Sequence, residues 1–571
     1  MNLKHINIVL VAVGLMFSQT SCRKSFLDTK LDTQPTPENL YQDYKNLIKL
    51  ANAPYAYLQN YNEFQILDGN LMAPVTDEAV QTNNYGSVYT FNEGSWNQFN
   101  NPNDYYNYYY AGIFSTNYFF EFLGKIGDYK KFLALNRDTI TTASKNEYHN
   151  DVQKMKWSIA EAHILRAYFH FELAKRYGRV PLVKQTYAAG EKAGLVQSSF
   201  EDVVSFIVSE VDQYKNDLQP NWKVSSFATD DGKFSKGSAL ALKARVLLYA
   251  ASPLHNASND VSKWQAAAAA ANEAVVFAQR TDINGGQNNL DANYRNYFLG
   301  NNTLTSSETI LAVRYFPSST MEQLNYPVAT PGGNTGITPT QNLVDAYEYT
   351  AAPDPANPYA NRDPRLGFTV VTNGSTWNGR TIDQSSAGTD AMTRTNASKT
   401  GYYLKKFLID NVDLINNFTN PHNWPVYRYG ELLLEYSEAM NEAYGPDNSN
   451  GYILSARGAL NMVRARPGVG MPGVIAAGKD GFRNALKRER QVELAFEDHR
   501  YWDLLRWNDA AVVQNQAVNG VAITKNSNGQ FLYTPKVVQK RVFVSPKMYY
   551  FPFPQSEISI SNGSLAQNPG W

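Results

Sequence analysis

The sequence predicts a mostly α protein, a tetratricopeptide-like scaffold of helical pairs with long irregular loops between them. Three observations carry this. Apolar residues recur every three or four positions in successive blocks. Hardly any run alternates β-branched and polar residues as a half-buried strand would. The stretches between the blocks are long and rich in Asn, Gly, Thr, Ser and Tyr, and loops of that length in a folded protein usually carry function. Of 571 residues, 43% are hydrophobic, enough for a large core. Lys plus Arg (52) equals Asp plus Glu (52), so no basic field exists to neutralise a phosphate backbone, and nucleic acid is excluded as a partner.

The chain opens with Lys4 and no acid before the apolar run Ile8–Phe17. That run is too short to span a bilayer core of about 30 Å, so 1–21 reads as a signal peptide. Cys22, the only cysteine, follows Ser21 directly and cannot form an internal disulfide. A cysteine at this place is the lipidated first residue of a mature bacterial lipoprotein, although Gln19 departs from the usual apolar residue. Residues 22–37 then form a tether, and 38–571 a single body with an amino-terminal part to about 280 and a carboxyl-terminal part from about 281. No later apolar run reaches spanning length.

Within the body, Trp157, Ala160, Ile164, Ala167, Phe171 and Ala174 mark one helical stripe in Asp151–Tyr177, and Gly178 with Pro181 ends it. In Ser238–Ala251 one stripe holds Leu240, Ala244, Leu247 and Ala251, and the next holds Ala239, Leu242, Val246 and Tyr249, so the helix has two packed neighbours. Pro253 breaks it, and a second helix from near Ser262, carrying Ala266–Ala271, closes a helix hairpin. Further helices are expected at 38–50, 200–218, 429–444, 455–464 and 481–507. Loops are expected at 80–110, 281–307, 316–341 and 373–400.

Read as text, Glu161-Ala-His-Ile-Leu-Arg-Ala-Tyr-Phe-His-Phe-Glu-Leu-Ala-Lys-Arg-Tyr-Gly-Arg-Val-Pro-Leu-Val183 closely resembles a segment of the SusD/RagB family of outer-membrane nutrient-uptake lipoproteins. So do Lys236–Pro253, Asn361–Arg365, Arg428–Glu442 and Asn461–Arg466, in the same order. The most specific matches are Glu489–Trp507 and the terminal Gln567-Asn-Pro-Gly-Trp571. The resemblance implies a helical-pair scaffold whose loops form a glycan-binding face. It also implies a SusC-like TonB-dependent outer-membrane transporter as partner, an oligosaccharide or polysaccharide ligand, and a surface-exposed outer-membrane location held by the lipid on Cys22. No enzyme activity, cofactor or metal is implied.

A sugar binder needs flat aromatic faces for C–H surfaces and amides for hydroxyls. Asn83–Trp96 followed by Phe99, then Asn325-Tyr326 and Trp377-Asn378, supply that combination. The expected glycan contacts are therefore Trp96, Tyr85, Phe99, Asn325, Tyr326 and Trp377, with Trp96 foremost because it falls where the family commonly carries a stacking aromatic. Two alternatives compete: a surface glycoside hydrolase, and a peptide- or protein-binding helical-repeat scaffold. For the first, Glu489, Arg490, Glu493, Glu497, Arg500, Asp503 and Arg506 mix both signs at helical spacing and read as a structural ion-pair ladder rather than an acid–base pair. Gly468-Val-Gly-Met-Pro-Gly473 follows a helix, not a strand, and reads as turn glycines. His163 and His170 lie about 10.5 Å apart along one helix, too far to share a metal, and read as structural.

Overall fold

The computed structural model describes residues 40–58, 66–67, 70–83, 86–188, 191, 194–223, 230–282 and 287–571. Cys22, the signal segment and the tether lie outside them, as does Tyr85. The chain divides into two compact units, one from the chain up to Leu50 with Phe122–Gln153, the other from Ala51–Glu121 with Lys154–Trp571. In the first, the rings of Tyr41 and Phe122 stack at 4.8 Å. There Arg137 bonds Asp151 at 2.7 Å and lies 4.6 Å above the ring of Tyr44.

The second unit is built mainly of helices. They are α1 (Tyr106–Ile126) and α2 (Thr142–Tyr177), each of which also gives residues to the first unit, then α3 (Phe200–Tyr214), α4 (Lys236–Ala251) and α5 (Val261–Ala278). Strands β1 (Thr309–Val313) and β2 (Trp424–Arg428) precede α6 (Tyr429–Tyr444), α7 (Ala456–Arg464), α8 (Gly478–Glu493) and α9 (His499–Arg506), and the hairpin β3 (Val518–Lys525) and β4 (Phe531–Gln539) follows. Short two-residue and three-residue strands complete the sheet content, always as antiparallel pairs.

Local chemistry sets these boundaries. Capping boxes at Ser199/Asp202 and Ser235/Ser238 start α3 and α4, satisfying backbone N–H groups that the first turn leaves free. Asp260 caps α5 by accepting from Ser262 N at 2.8 Å. Gly178 (φ +72°) ends α2 in the left-handed region that glycine adopts freely. The expected hairpin of α4 and α5 is present. The small residues Ala267, Ala268, Ala271 and Ala274 of α5 share one buried cluster with Leu240, Ala244 and Leu248 of α4 and with Leu432, Leu433, Tyr436 and Met440 of α6. Where α1 meets α2, a methyl group at Gly112 would stand 2.8 Å from the Phe169 ring, so only glycine permits that approach.

Three differences from the sequence-based expectation have physical causes. The expected single helix over 481–507 is two, because Phe496 (φ +63°) and Asp498 (φ +59°) both adopt left-handed backbone between α8 and α9. The expected loop over 80–110 contains a short helix, Gly86–Asn92, and its last residues begin α1, whose aromatic side chains lack the polar face that marks an amphipathic helix. The hairpin β3–β4 pairs residues 518–525 with 531–539 around Asn528-Gly529.

Candidate ligand-binding surface

Four of the six expected glycan contacts are packing residues, which corrects the assignment made from sequence. Trp96 is 2% exposed, its ring 4.9 Å from Phe91, 5.2 Å from Phe551 and 4.5 Å from Trp571. Asn325, 1% exposed, accepts from Ile337 N at 2.8 Å and donates to Met321 O at 2.9 Å. Tyr326 is wholly buried and meets Trp377 edge-on at 4.8 Å. None of these rings has an open face on which a sugar could lie. Phe99 is the exception, 77% exposed at the tip of a turn closed by paired hydrogen bonds between Asn97 and Asn100.

The buried residues nevertheless brace one particular loop, 409–420. Tyr326 donates its hydroxyl proton to Ile409 O, and the Trp377 indole N–H bonds Asp410. Asn378 accepts from Asn411 N at 2.7 Å, Glu322 accepts from Ile409 N at 3.0 Å, and Arg295 bonds Asp410 at 3.0 Å. Asp413 then caps the turn that follows, accepting from Ile415 N at 3.0 Å and Asn416 N at 3.1 Å. Further along, Ser318 and Asn420 exchange two backbone hydrogen bonds of 3.1 Å, beyond the β1–β2 ladder that pairs Val313 with Trp424.

This frame presents Phe316 (91% exposed), Ile415 (66%) and Phe418 (49%) to solvent, among exposed Asn411, Asn416 and Asn417. Exposed aromatic faces next to amides are what a carbohydrate requires, and a firmly held backbone limits the entropy lost on binding. Sequence reasoning missed Phe316 and Phe418. The signal was present in Ile415-Asn-Asn-Phe418-Thr-Asn420, which repeats the amide–aromatic pattern already noted in three other loops.

The carboxylates of the expected ladder are ion-paired. Glu493 is fully buried and accepts from Arg466 (2.7 Å), Arg428 (2.8 Å) and Arg365 (2.9 Å). Burial alone would raise its pKa, but the three guanidiniums outweigh burial and hold the carboxyl far below the usual range. Glu308 joins Arg428 at 2.7 Å and also pairs with Arg466, Glu497 joins Arg428 and Lys406 at 2.7 Å each, and Glu489 joins Arg464 at 2.8 Å and Arg365 at 2.5 Å. Arg490 and Arg506 hold Asp503 at 2.8 Å each, and Arg500 holds Asp77 at 2.8 Å. The expected ladder is thus structural, but its partners come mostly from distant segments.

His163 bonds Glu210 at 2.9 Å, and His170, pushed down to about 4 chiefly by burial, is wedged between Arg166 O (2.8 Å) and Val183 N (3.2 Å). Gly468 and Gly470 take left-handed backbone (φ +78° and +61°), as turn glycines do. Among the described residues no cluster of three or more His, Cys, Asp or Glu could hold a metal ion.

Comparison with known proteins supports the same architecture. The chain is similar to SusD-like protein P38 of Formosa agariphila, 24% identical over 375 residues covering 64% of this chain and 68% of the relative. A crystal structure of a SusD-like protein from Bacteroides fragilis superposes with a TM-score of 0.72 at 24% identity, covering 94% of this chain and 99% of that one. A SusD-like carbohydrate-binding protein from the same organism superposes with a TM-score of 0.69 at 23% identity, covering 91% and 99%. The sequence model of the SusD family matches residues 273–571, just over half of the chain, and the protein belongs to that family.

Proposed function

We propose that this protein is a cell-surface, lipid-anchored receptor for oligosaccharide or polysaccharide, and that it delivers its ligand to a SusC-like TonB-dependent transporter without cleaving it. The observation that carries the binding role is the solvent exposure of Ile415 and Phe418, on a loop held from beneath by Tyr326, Trp377 and Asn378, and of Phe316, on the neighbouring segment that Ser318 pairs with Asn420. A structural neighbour described as a carbohydrate-binding protein supports the ligand class. Among the described residues no helix is long and apolar enough to cross a membrane. The ladder carboxylates Glu489, Glu493 and Glu497 are each held by a cation, which favours binding over hydrolysis.

The test is a polysaccharide panel scored for both retention and released reducing ends, repeated with Phe316→Ala and Phe418→Ala. Retention without cleavage, weakened by about 1 kcal/mol or more in each variant, is the expected result, since a stacking contact is on that scale. Released ends would establish the hydrolase, and capture of peptides alone would establish the repeat scaffold. Mild detergent extraction and affinity purification should recover a large β-barrel protein at near-equal stoichiometry. Repeated recovery of the lipoprotein alone would remove the transporter from this reading.

A further inference from the structure

A second cleft, of about 820 Å³, shares no residue with the Phe316–Phe418 rim. That size lies within the range of small-ligand sites. Its lining includes Arg179, Phe200, His255, Lys547 and Tyr550. The His255 imidazole lies flat on the Phe200 ring, 3.5 Å away and 7° from parallel, and the Tyr550 hydroxyl comes within 3.4 Å of His255 Nδ1. Gly178 sets the position of Tyr550, because a Cβ there would stand 2.9 Å from its ring. The result is a cleft walled by rings.

Its charge is one-sided. Burial and the neighbouring Lys263 push His255 down to about 3, so the imidazole is neutral at physiological pH. The carboxylate of Glu201 at the cleft is taken by Lys263 at 3.2 Å. Lys547 is steadied over the Trp571 ring at 4.1 Å, and Arg179 is exposed; neither meets a carboxylate among the described residues. Arg179 and Lys547 thus stand at a ring-lined cleft with no ion pair of their own among the described residues, while its carboxylate, Glu201, is bridged to Lys263. A guanidinium in that position binds a carboxylate through two parallel N–H groups.

The cleft adjoins another of about 440 Å³, which Ala257 and Asn508 also line and which holds Trp264 and Trp507. There the carboxylates are already matched, Glu438 by Arg506 at 2.5 Å and Glu442 by Arg483 at 2.6 Å. A chain longer than one ring has room to continue into this cleft, where no uncompensated charge faces it.

We infer that the 820 Å³ cleft is a second binding site, taking an acidic sugar ring with its carboxylate at Arg179 and Lys547 and its C–H face on the walls formed by His255, which Phe200 backs, and Tyr550. The ligand class rests on the carbohydrate reading above; the preference for an acid rests on this cleft alone. The test is calorimetric titration with trigalacturonate and with its methyl ester, in the wild type and in Arg179→Ala and Lys547→Ala. The acid should bind, more weakly as salt is raised. The ester and the two cation variants should each bind about tenfold more weakly, the scale of one charge-assisted hydrogen bond. Equal affinity for acid and ester, no binding of the acid, or indifference to both cation substitutions would overturn the site. Should a neutral polysaccharide still bind the Phe316–Phe418 rim, only this inference falls; if no glycan of either kind binds, the carbohydrate reading falls with it.

Discussion

The indole of Trp96 lies 4.5 Å from that of Trp571, with the two planes at 48°. A residue that chain position alone suggests as a ligand platform is instead half of an internal contact between sequence positions nearly the length of the chain apart. Phe551 meets Trp96 edge-on at 5.2 Å, and the Trp571 indole N–H donates to Tyr550 O at 2.9 Å.

Trp96→Ala should therefore act on stability. Removing a buried Trp costs about 3–5 kcal/mol, and chemical denaturation should show a midpoint shift of that order. Glycan affinity per folded molecule should stay at the wild-type value by calorimetry. A variant of unchanged stability and lost binding would return Trp96 to the site.

Glu493→Gln should destabilise by about 3–5 kcal/mol, since it leaves three buried guanidiniums short of an anion. The pH dependence follows from the depressed carboxyl of Glu493. Its contribution is complete above the unfolded value of about 4.3 and fades as pH falls below it. Thermal melts from pH 7 down to pH 3 should show the wild type losing stability steeply, and the variant starting lower and losing less.

Asp498 carries the opposite sign. Burial pushes its carboxyl up to about 7, against the Met72 N–H and the charges of Lys175 and Arg176. The folded state thus retains a proton that the unfolded chain releases near pH 3.9, so stability falls as pH rises from about 4 to 7. Asn tolerates left-handed backbone and can still accept from Met72 N, so Asp498→Asn should melt higher than the wild type at pH 8 and lose that slope. Equal melting at pH 5 and pH 8 in both proteins would refute the shift.

Cys22→Ala should leave the protein as unprocessed precursor or release it from the membrane fraction. Fractionation followed by mass analysis of the amino terminus checks this. Normal membrane retention would require another anchor.

Helices with apolar residues recurring every three or four positions were legible: α4 and α6 lie where the sequence reading puts them, and α2 ends at Tyr177 as expected but begins earlier, at Thr142. Helix α1 was not, because Tyr106, Tyr108, Tyr109 and Tyr110 satisfy a binding loop and a buried helix equally well. The break between α8 and α9 was hidden because left-handed Phe496 and Asp498 carry no glycine to announce it. Sequence identified the right charged residues and the right structural role for them. It could not supply Glu308, Arg365 or Arg428 as partners, since Arg365 meets Glu493 across 128 positions. Amide–aromatic pairs in the sequence do not reveal the layer a ring occupies: Tyr326 and Trp377 are buried and support the 409–420 loop, while Phe316 and Phe418 face solvent. Composition distinguishes a ring from an aliphatic side chain; only packing decides which face of it stays open.

The pairing of Glu308 with Arg428 at 2.7 Å has a use in engineering. These residues bracket the stretch that holds Phe316, Ile415 and Phe418, and Arg365 pins its middle to Glu489 and Glu493. The exposed segments between these pins can be lengthened at a cost of only about 0.6 kcal/mol per doubling of a flexible loop. Segments grafted from a relative with different ligand preference would begin and end on the same buried arginines and glutamates. On the glycan-binding proposal, specificity becomes a replaceable part, exchanged between fixed mounting points while the helices beneath are left as they are.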